Sequence, residues 1–276
     1  MAKKKSSPVR RQATMAERSD RHVLYENSVQ CVEAEIDFLD EAFQELRGRK
    51  ATRLREDFCG TAAAACEWVR RRPRNHAIGV DLDPDVLEWG REHHVAKLGK
   101  GERGRLTLVN GDVTKVTTDP QDLVIAMNFS YWIFKERRTL INYFSRVRRA
   151  LADDGVFILD CYGGHDSFKV LKERKYFDDY TYIWEQASYN PVDGHMCCNI
   201  HFKFKDGSRL DKAFSYDWRL WTMPELRDCL ADAGFRKTVV YWQGWDEETG
   251  DGDGNFTAVE TADPDPGWIS YIAAVK

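Results

Sequence analysis

Three short stretches carry acids and glycines at spacings that suit a nucleoside. Leu54-Arg55-Glu56-Asp57-Phe58-Cys59-Gly60-Thr61-Ala62 runs from an apolar segment into a turn of small residues. There a lone Gly60 lets backbone approach a ligand closely. Asp81 follows 21 residues after Gly60, the spacing at which an acid accepts hydrogen bonds from both ribose hydroxyls. Binding a pyrophosphate takes the further glycines of GxGxxG, or the lysine of a phosphate loop. Here Gly60 stands alone, alanines fill the later positions and no lysine follows. The turn therefore suits a cofactor that contains adenosine but no phosphate. A second chemical set, Asp160, Tyr162 and His165, comes later in the chain. His165 follows Gly163-Gly164, so it sits on a loop, either as a proton carrier near neutrality or as an exposed histidine.

Alternating elements position these groups. Strand-like stretches at residues 51–57, 76–82, 105–110, 122–127 and 156–161 alternate with helical ones at 62–71, 85–98 and 137–151, which predicts a parallel sheet covered on both faces. Ligands bind outside the carboxyl ends of such strands, where the turns above lie. Before them, apolar residues at helical spacing run from 23 to 46 and stop at Gly48. After Gly163-Gly164 the pattern changes to three antiparallel strands at 179–189, 195–204 and 210–220, then a helix at 224–233 and strands at 237–242 and 268–275. Residues 246–267, rich in Gly, Asp and Pro, read as a mobile loop.

Over about residues 23–276 the chain resembles the class I S-adenosylmethionine-dependent methyltransferases. The resemblance rests on LREDFCGTA (54–62), GVDLD (79–83), NGDV (110–113), DLVIAMNFSY (122–131) and WTMPELRDCLADAGF (221–235), five motifs in the family's order. It implies an α/β fold: a doubly wound, mostly parallel seven-stranded sheet with an antiparallel last strand, plus an inserted small antiparallel sheet. The expected layout is a disordered basic tail at 1–21 and a methyltransferase domain at 22–276. Within the domain, 22–48 form a helical cap, 49–160 bind cofactor, 161–221 form an acceptor lid and 222–276 a closing helix and hairpin.

The same resemblance implies S-adenosyl-L-methionine as cofactor, held by Tyr25, Arg55, Glu56, Phe58, Cys59, Gly60, Thr61, Asp81, Leu82, Asp112, Val113, Asn128, Phe129 and Ser130. Asp81 would take the ribose and Asp112 the adenine amino group. Arg55 would hold the cofactor's carboxylate or pair with Asp57; Glu56 is either a direct ligand or an anchor of the turn. Phe58 and Ala62 stand where the family has glycines, and Phe58 implies a differently shaped backbone near the methionine end. Asn128-Phe129-Ser130-Tyr131 is superficially similar to the NPPY of base-methylating relatives but lacks both prolines, and is taken as a small-molecule variant. Tyr131, Arg219 and Trp221 are the acceptor-binding candidates and Tyr162 and His165 the catalytic ones. The aromatic residues of 161–221 form either a lid or the faces of a packed sheet. The expected activity is methyl transfer by in-line displacement to N, O or S of a small molecule. The alternatives are a protein or RNA methyltransferase and a non-catalytic binder of the cofactor.

Composition narrows the partners. The 276 residues carry a net charge of −4 that divides into +5 for residues 1–21 and −9 for the rest. A −9 body disfavours a nucleic-acid partner, whose phosphates need clustered Lys and Arg. A mean hydropathy of −0.58 and the lack of a long apolar run exclude a membrane span. No apolar leader precedes the domain. Seven scattered cysteines without a CxxC pair predict neither disulfides nor a metal site and suit a reducing cytoplasm. Monomer and homodimer remain equally open.

Overall fold

The computed structural model describes residues 11–246 and 252–276. Strands β1 (Arg53–Asp57), β2 (His76–Asp81), β3 (Leu106–Asn110), β4 (Gln121–Ala126) and β5 (Leu151–Gly163) alternate with helices. Helices α1 (Met15–Arg18), α2 (Arg21–Val29) and α3 (Val32–Arg47) precede β1. Between the strands come α4 (Ala63–Arg71), α5 (Pro84–His93), α6 (Lys100–Arg103) and α7 (Arg137–Ala150). Four strands then form a separate sheet: β6 (Leu171–Tyr176), β7 (Tyr180–Tyr189), β8 (His195–Phe204) and β9 (Arg209–Arg219). Helix α8 (Met223–Asp232) and strands β10 (Lys237–Trp245), β11 (Gly252–Val259) and β12 (Trp268–Val275) return to the first sheet, whose order is β11-β10-β12-β5-β4-β1-β2-β3. β1–β5 pair parallel, whereas β12 is antiparallel to both β5 and β10. The expected α/β class and inserted antiparallel sheet are both present.

Local signals act as their chemistry predicts. Asp83 accepts from the amides of Asp85 and Val86 to start α5, with Pro84 in its first turn. Thr222 and Glu225 form a reciprocal cap on α8. Gly48 ends α3 at φ 67°. Every residue of β4 is buried, as a central parallel strand requires. One face of the sheet packs Leu140, Tyr143, Phe144 and Leu226 of α7 and α8; the other packs Ile36, Phe43 and Trp68 of α3 and α4. No helix among the described residues is long and apolar enough to cross a membrane.

Several expectations change. The single helix over 23–46 is two, broken where Cys31 leaves helical geometry at φ −129°. The reason is that α2 buries Leu24 against the small sheet while α3 buries Ile36, Leu39 and Phe43 against the large one. Half of the expected tail, residues 1–10, lies outside the described residues. The other half is ordered: Thr14 caps α1, and the amides of Met15 and Ala16 donate to Asp206 and Ser208. The expected loop at 246–267 contains an eighth strand, β11, antiparallel to β10. It is mostly exposed and held through backbone pairing at an edge, so no apolar alternation announces it. The fourth strand of the small sheet, β6, escapes notice for the same reason, its sequence being LKERKY.

Candidate functional site

The turn after β1 is built from left-handed backbone. Phe58, Gly60 and Ala62 have φ of 58°, 52° and 59°, a conformation that costs a side-chain-bearing residue about 1–2 kcal/mol. Phe58 thus does not reshape the backbone as its side chain suggested; it adopts the conformation a glycine would take. Packing holds it there, with its ring 5.7 Å from Tyr143 and 6.0 Å from Phe134. Ala62 is fully buried. Helix α5 presses on the turn so closely that a Cβ on Gly90 would lie 2.3 Å from the Thr61 carbonyl oxygen. In front of Gly60, by contrast, a Cβ would meet nothing within 4 Å, and the Gly60 amide donates to Asp81 Oδ2 at 2.8 Å. The other Asp81 oxygen accepts from the Asp83 amide.

Arg55 resolves toward its structural alternative. It is 2% exposed, donates to Asp57 at 2.7 Å, and reaches the carbonyls of Val113 and Val116. Tyr143 donates to the second Asp57 oxygen. The guanidinium is consumed by the core and leaves the neighbouring acids without a cation. Glu56 accepts from the Ala65 amide in the first turn of α4, and burial, with Glu35, Asp81 and Asp57 nearby, pushes its carboxyl up to about 8. Burial likewise pushes Asp160 and Glu35 up to about 7. None of Glu35, Glu56 and Asp160 has a basic partner among the described residues.

Asp160 shapes a second strained turn. Asn128 and Phe129 have φ of 57° and 55°, and their amides donate to the two Asp160 oxygens at 2.6 and 2.9 Å. Of five non-glycine residues at positive φ among the described residues, four lie in these two turns; such strain persists where surrounding structure enforces it, commonly at ligand sites. Ser130 donates to the Met127 carbonyl. The register pairs Asp81 with Asn110, so the ends of β2 and β3 lie side by side, and Asn110 ties the Asp81 and Leu82 carbonyls. Leu82 is 72% exposed there. Asp112 accepts from the amide and hydroxyl of Thr114, which hold its carboxyl below the ordinary value. Val113 is buried, its carbonyl accepting from Arg55. Cys59 is buried against Gly79.

Beside the Asn128-Phe129 turn opens a cavity of about 620 Å³ lined by Tyr25 of α2, Tyr162 of β5, Trp268 of β12, Trp245 of β10 and the inward face of the small sheet, including Tyr182, Trp184, Tyr216 and Trp218. The aromatic alternatives divide: these four line the cavity, while Phe202 and Phe204 are core. Tyr25 packs on Phe214 with ring centroids 5.0 Å apart. Tyr162 donates to the Gln186 side chain, whose amide donates to the Asp166 and Lys169 carbonyls. Burial pushes the Tyr162 phenol well above its ordinary value, so it serves as a donor and not as a base.

Four candidates fall elsewhere. His165 lies outside the cavity lining, 60% exposed and 3.0 Å from Asp166. Tyr131 is buried and donates to the Asp160 carbonyl. Trp221 is buried with its indole on the Phe134 carbonyl. Arg219 stacks 3.7 Å over Trp221, binds the Lys135 carbonyl and Glu225, and lines a separate cavity of about 670 Å³. Sequence reading missed Glu26, which accepts from Thr61 Oγ1 at 2.6 Å and meets His94 Nε2 at 2.7 Å, so that α2 spans the mouth of the first turn. The available signal was its place beside Tyr25.

Residues 57–159 match the sequence model of a family described as a methyltransferase domain. Over 194 residues, 70% of this chain and 59% of the relative's length, the chain is 26% identical to a malonyl-[acyl-carrier protein] O-methyltransferase of Geobacter sulfurreducens. Among solved structures it is similar to an S-adenosylmethionine-dependent methyltransferase from Clostridium acetobutylicum, with a TM-score of 0.64 at 15% identity over 91% of this chain and 96% of the other. It is also similar to an amino pentose methyltransferase from Micromonospora echinaspora, with a TM-score of 0.63 at 15% identity over 95% and 99% of the two chains. These likenesses establish the fold.

Proposed function

We propose that this chain is an S-adenosylmethionine-dependent methyltransferase that carries a methyl group to a small-molecule acceptor held in the aromatic cavity beside Asn128 and Phe129. The observation that carries the reading is the pair of strained turns, with open space before Gly60 and desolvated carboxylates around it that lack a cation. Glu56 and Asp160 supply the negative charge that a ligand bearing both a sulfonium and an ammonium needs, and such a ligand relieves the cost of their burial. Asp81, already fixed by two amides, keeps lone pairs for ribose hydroxyls. Leu82 offers an exposed apolar face to the adenine ring, with Asp112 and the Val113 backbone at its edge. Tyr25 closes the cofactor side against the lid.

Bound cofactor supplies an electrophilic methyl group. What this chain contributes is placement: a nucleophile oriented in line and water excluded by aromatic side chains. A half-open cavity of about 620 Å³, within the size range of ligand pockets, supports the small-molecule assignment. Calorimetry with S-adenosylmethionine and S-adenosylhomocysteine tests the cofactor, and a metabolite screen with methyl-labelled cofactor tests the acceptor. Heat of binding from both is expected; the absence of both overturns the reading.

A further inference from the structure

We infer that the aromatic cavity selects an amine, presented as a cation to Glu173 and the surrounding rings and methylated at nitrogen. This rests on the methyltransferase reading above. Glu173 lines the cavity on β6, paired across the sheet with Trp184. Among the described residues it has neither a basic partner nor a hydrogen bond. On this mostly exposed edge strand, partial desolvation and the nearby Asp166 hold its carboxyl above the ordinary value, and no cation offsets them. Arg174 also lines the cavity and Lys175 shares the pleat of Glu173, opposite Tyr182, whereas Lys172 leaves β6 from the opposite pleat. Lys172 is spent there on Glu185, within a polar group that includes Asn199 and His201. Among the described residues Glu173 is the one carboxylate of the cavity wall without an ion pair or hydrogen bond, Asp166 being held by Lys169.

The inward face around Glu173 is aromatic, and rings such as those of Tyr182 and Trp184 attract a cation. The carboxylates that line the cavity are weak bases toward a hydroxyl, and neither proton carrier expected from the sequence assists them. Tyr162 is a proton donor to Gln186, and His165 lies outside. An amine needs no such base. It gives one proton to water or to the Glu173 carboxylate, and its lone pair then forms the N–CH3 bond as the C–S bond breaks. Sulfur keeps the electron pair and loses its positive charge, and the product leaves as a methylated ammonium.

The test uses the full chain saturated with S-adenosylhomocysteine, reading tryptophan fluorescence while adding benzyltrimethylammonium, benzyl alcohol or benzoate. The cation is expected to bind at least about tenfold more tightly than the alcohol. Glu173→Gln should remove about tenfold of that affinity, and Lys172→Ala should leave it unchanged. With labelled cofactor, benzylamine should be methylated and benzyl alcohol not. Preferred binding of benzoate, which would mark Arg174 as the recognising group, overturns the inference, as does unchanged affinity in Glu173→Gln. If S-adenosylhomocysteine binds and benzyltrimethylammonium does not, the amine assignment alone falls. If S-adenosylhomocysteine gives no heat, the methyltransferase reading falls and takes the amine with it.

Discussion

The turn after β1 and the cavity under the small sheet lie side by side but are made in opposite ways. The turn is local: nine consecutive residues, Leu54–Ala62, supply its strand end, its acids and its left-handed backbone, and Asp81 arrives at the end of the neighbouring β2. The cavity has no local code. Its walls come from α2, β5, β10, β12 and all four strands of the small sheet, brought together by pairings across long stretches of chain. Charge separates them as well. The turn is rich in carboxylates, whereas the cavity is aromatic with a single unpartnered acid. The chemistry of the turn is thus encoded in neighbouring residues, and the character of the cavity in packing.

The largest effect should come from the foundation beneath the turn. Asp57→Asn strands the buried Arg55 and should cost about 3–5 kcal/mol, read as a lower midpoint in urea. A loss under 1 kcal/mol would mean that the carbonyls of Val113 and Val116 suffice for Arg55. Next, Asp81→Ala removes the acceptor for two turn amides and for the ribose, and should weaken S-adenosylhomocysteine about a hundredfold by calorimetry. Unchanged affinity would remove Asp81 from the cofactor side altogether.

A pH series sharpens the electrostatic half of the contrast. Glu56 is raised to about 8 and Asp160 and Glu35 to about 7 by burial. The folded state therefore holds protons that the unfolded state has released, so these groups subtract stability as pH rises from about 4.5 to about 8. A cationic ligand favours their ionised forms, so cofactor affinity should rise about tenfold between pH 6 and pH 8, with proton release on binding. Flat affinity and no proton release would show that these acids do not face the cofactor's charge. The smallest effect is expected on the acceptor side: a His165→Ala, Tyr162→Phe double variant should keep turnover within about threefold. A loss beyond a hundredfold would restore one of them as a proton carrier.

The same contrast explains what could be read from the sequence. Strand and helix periodicity, the Gly60–Asp81 spacing and the cap residues Asp83 and Thr222 are short-range facts, and they anticipate the parallel half with its turns. The exchange of glycine for Phe58 and Ala62 misleads, because packing from Tyr143 and Phe134 imposes a backbone that the residue type argues against. Edge strands β6 and β11 bury little and so leave no alternation to read. Tyr131, Trp221 and Arg219 have the types of binding residues, and only the tertiary fold reveals that their polar atoms already face backbone carbonyls. Glu173, one acid in a charged run, becomes distinctive only when the cavity it lines is known.

Helix α2 belongs to both regions. Glu26 holds Thr61 of the turn and His94, while Tyr25 packs on Phe214 and Ser28 shares a hydrogen bond with Tyr180 of the small sheet. Nine residues therefore form a common wall for the two chambers. A displacement of Arg21–Val29 would therefore break the contacts to both regions together, so the two share one boundary.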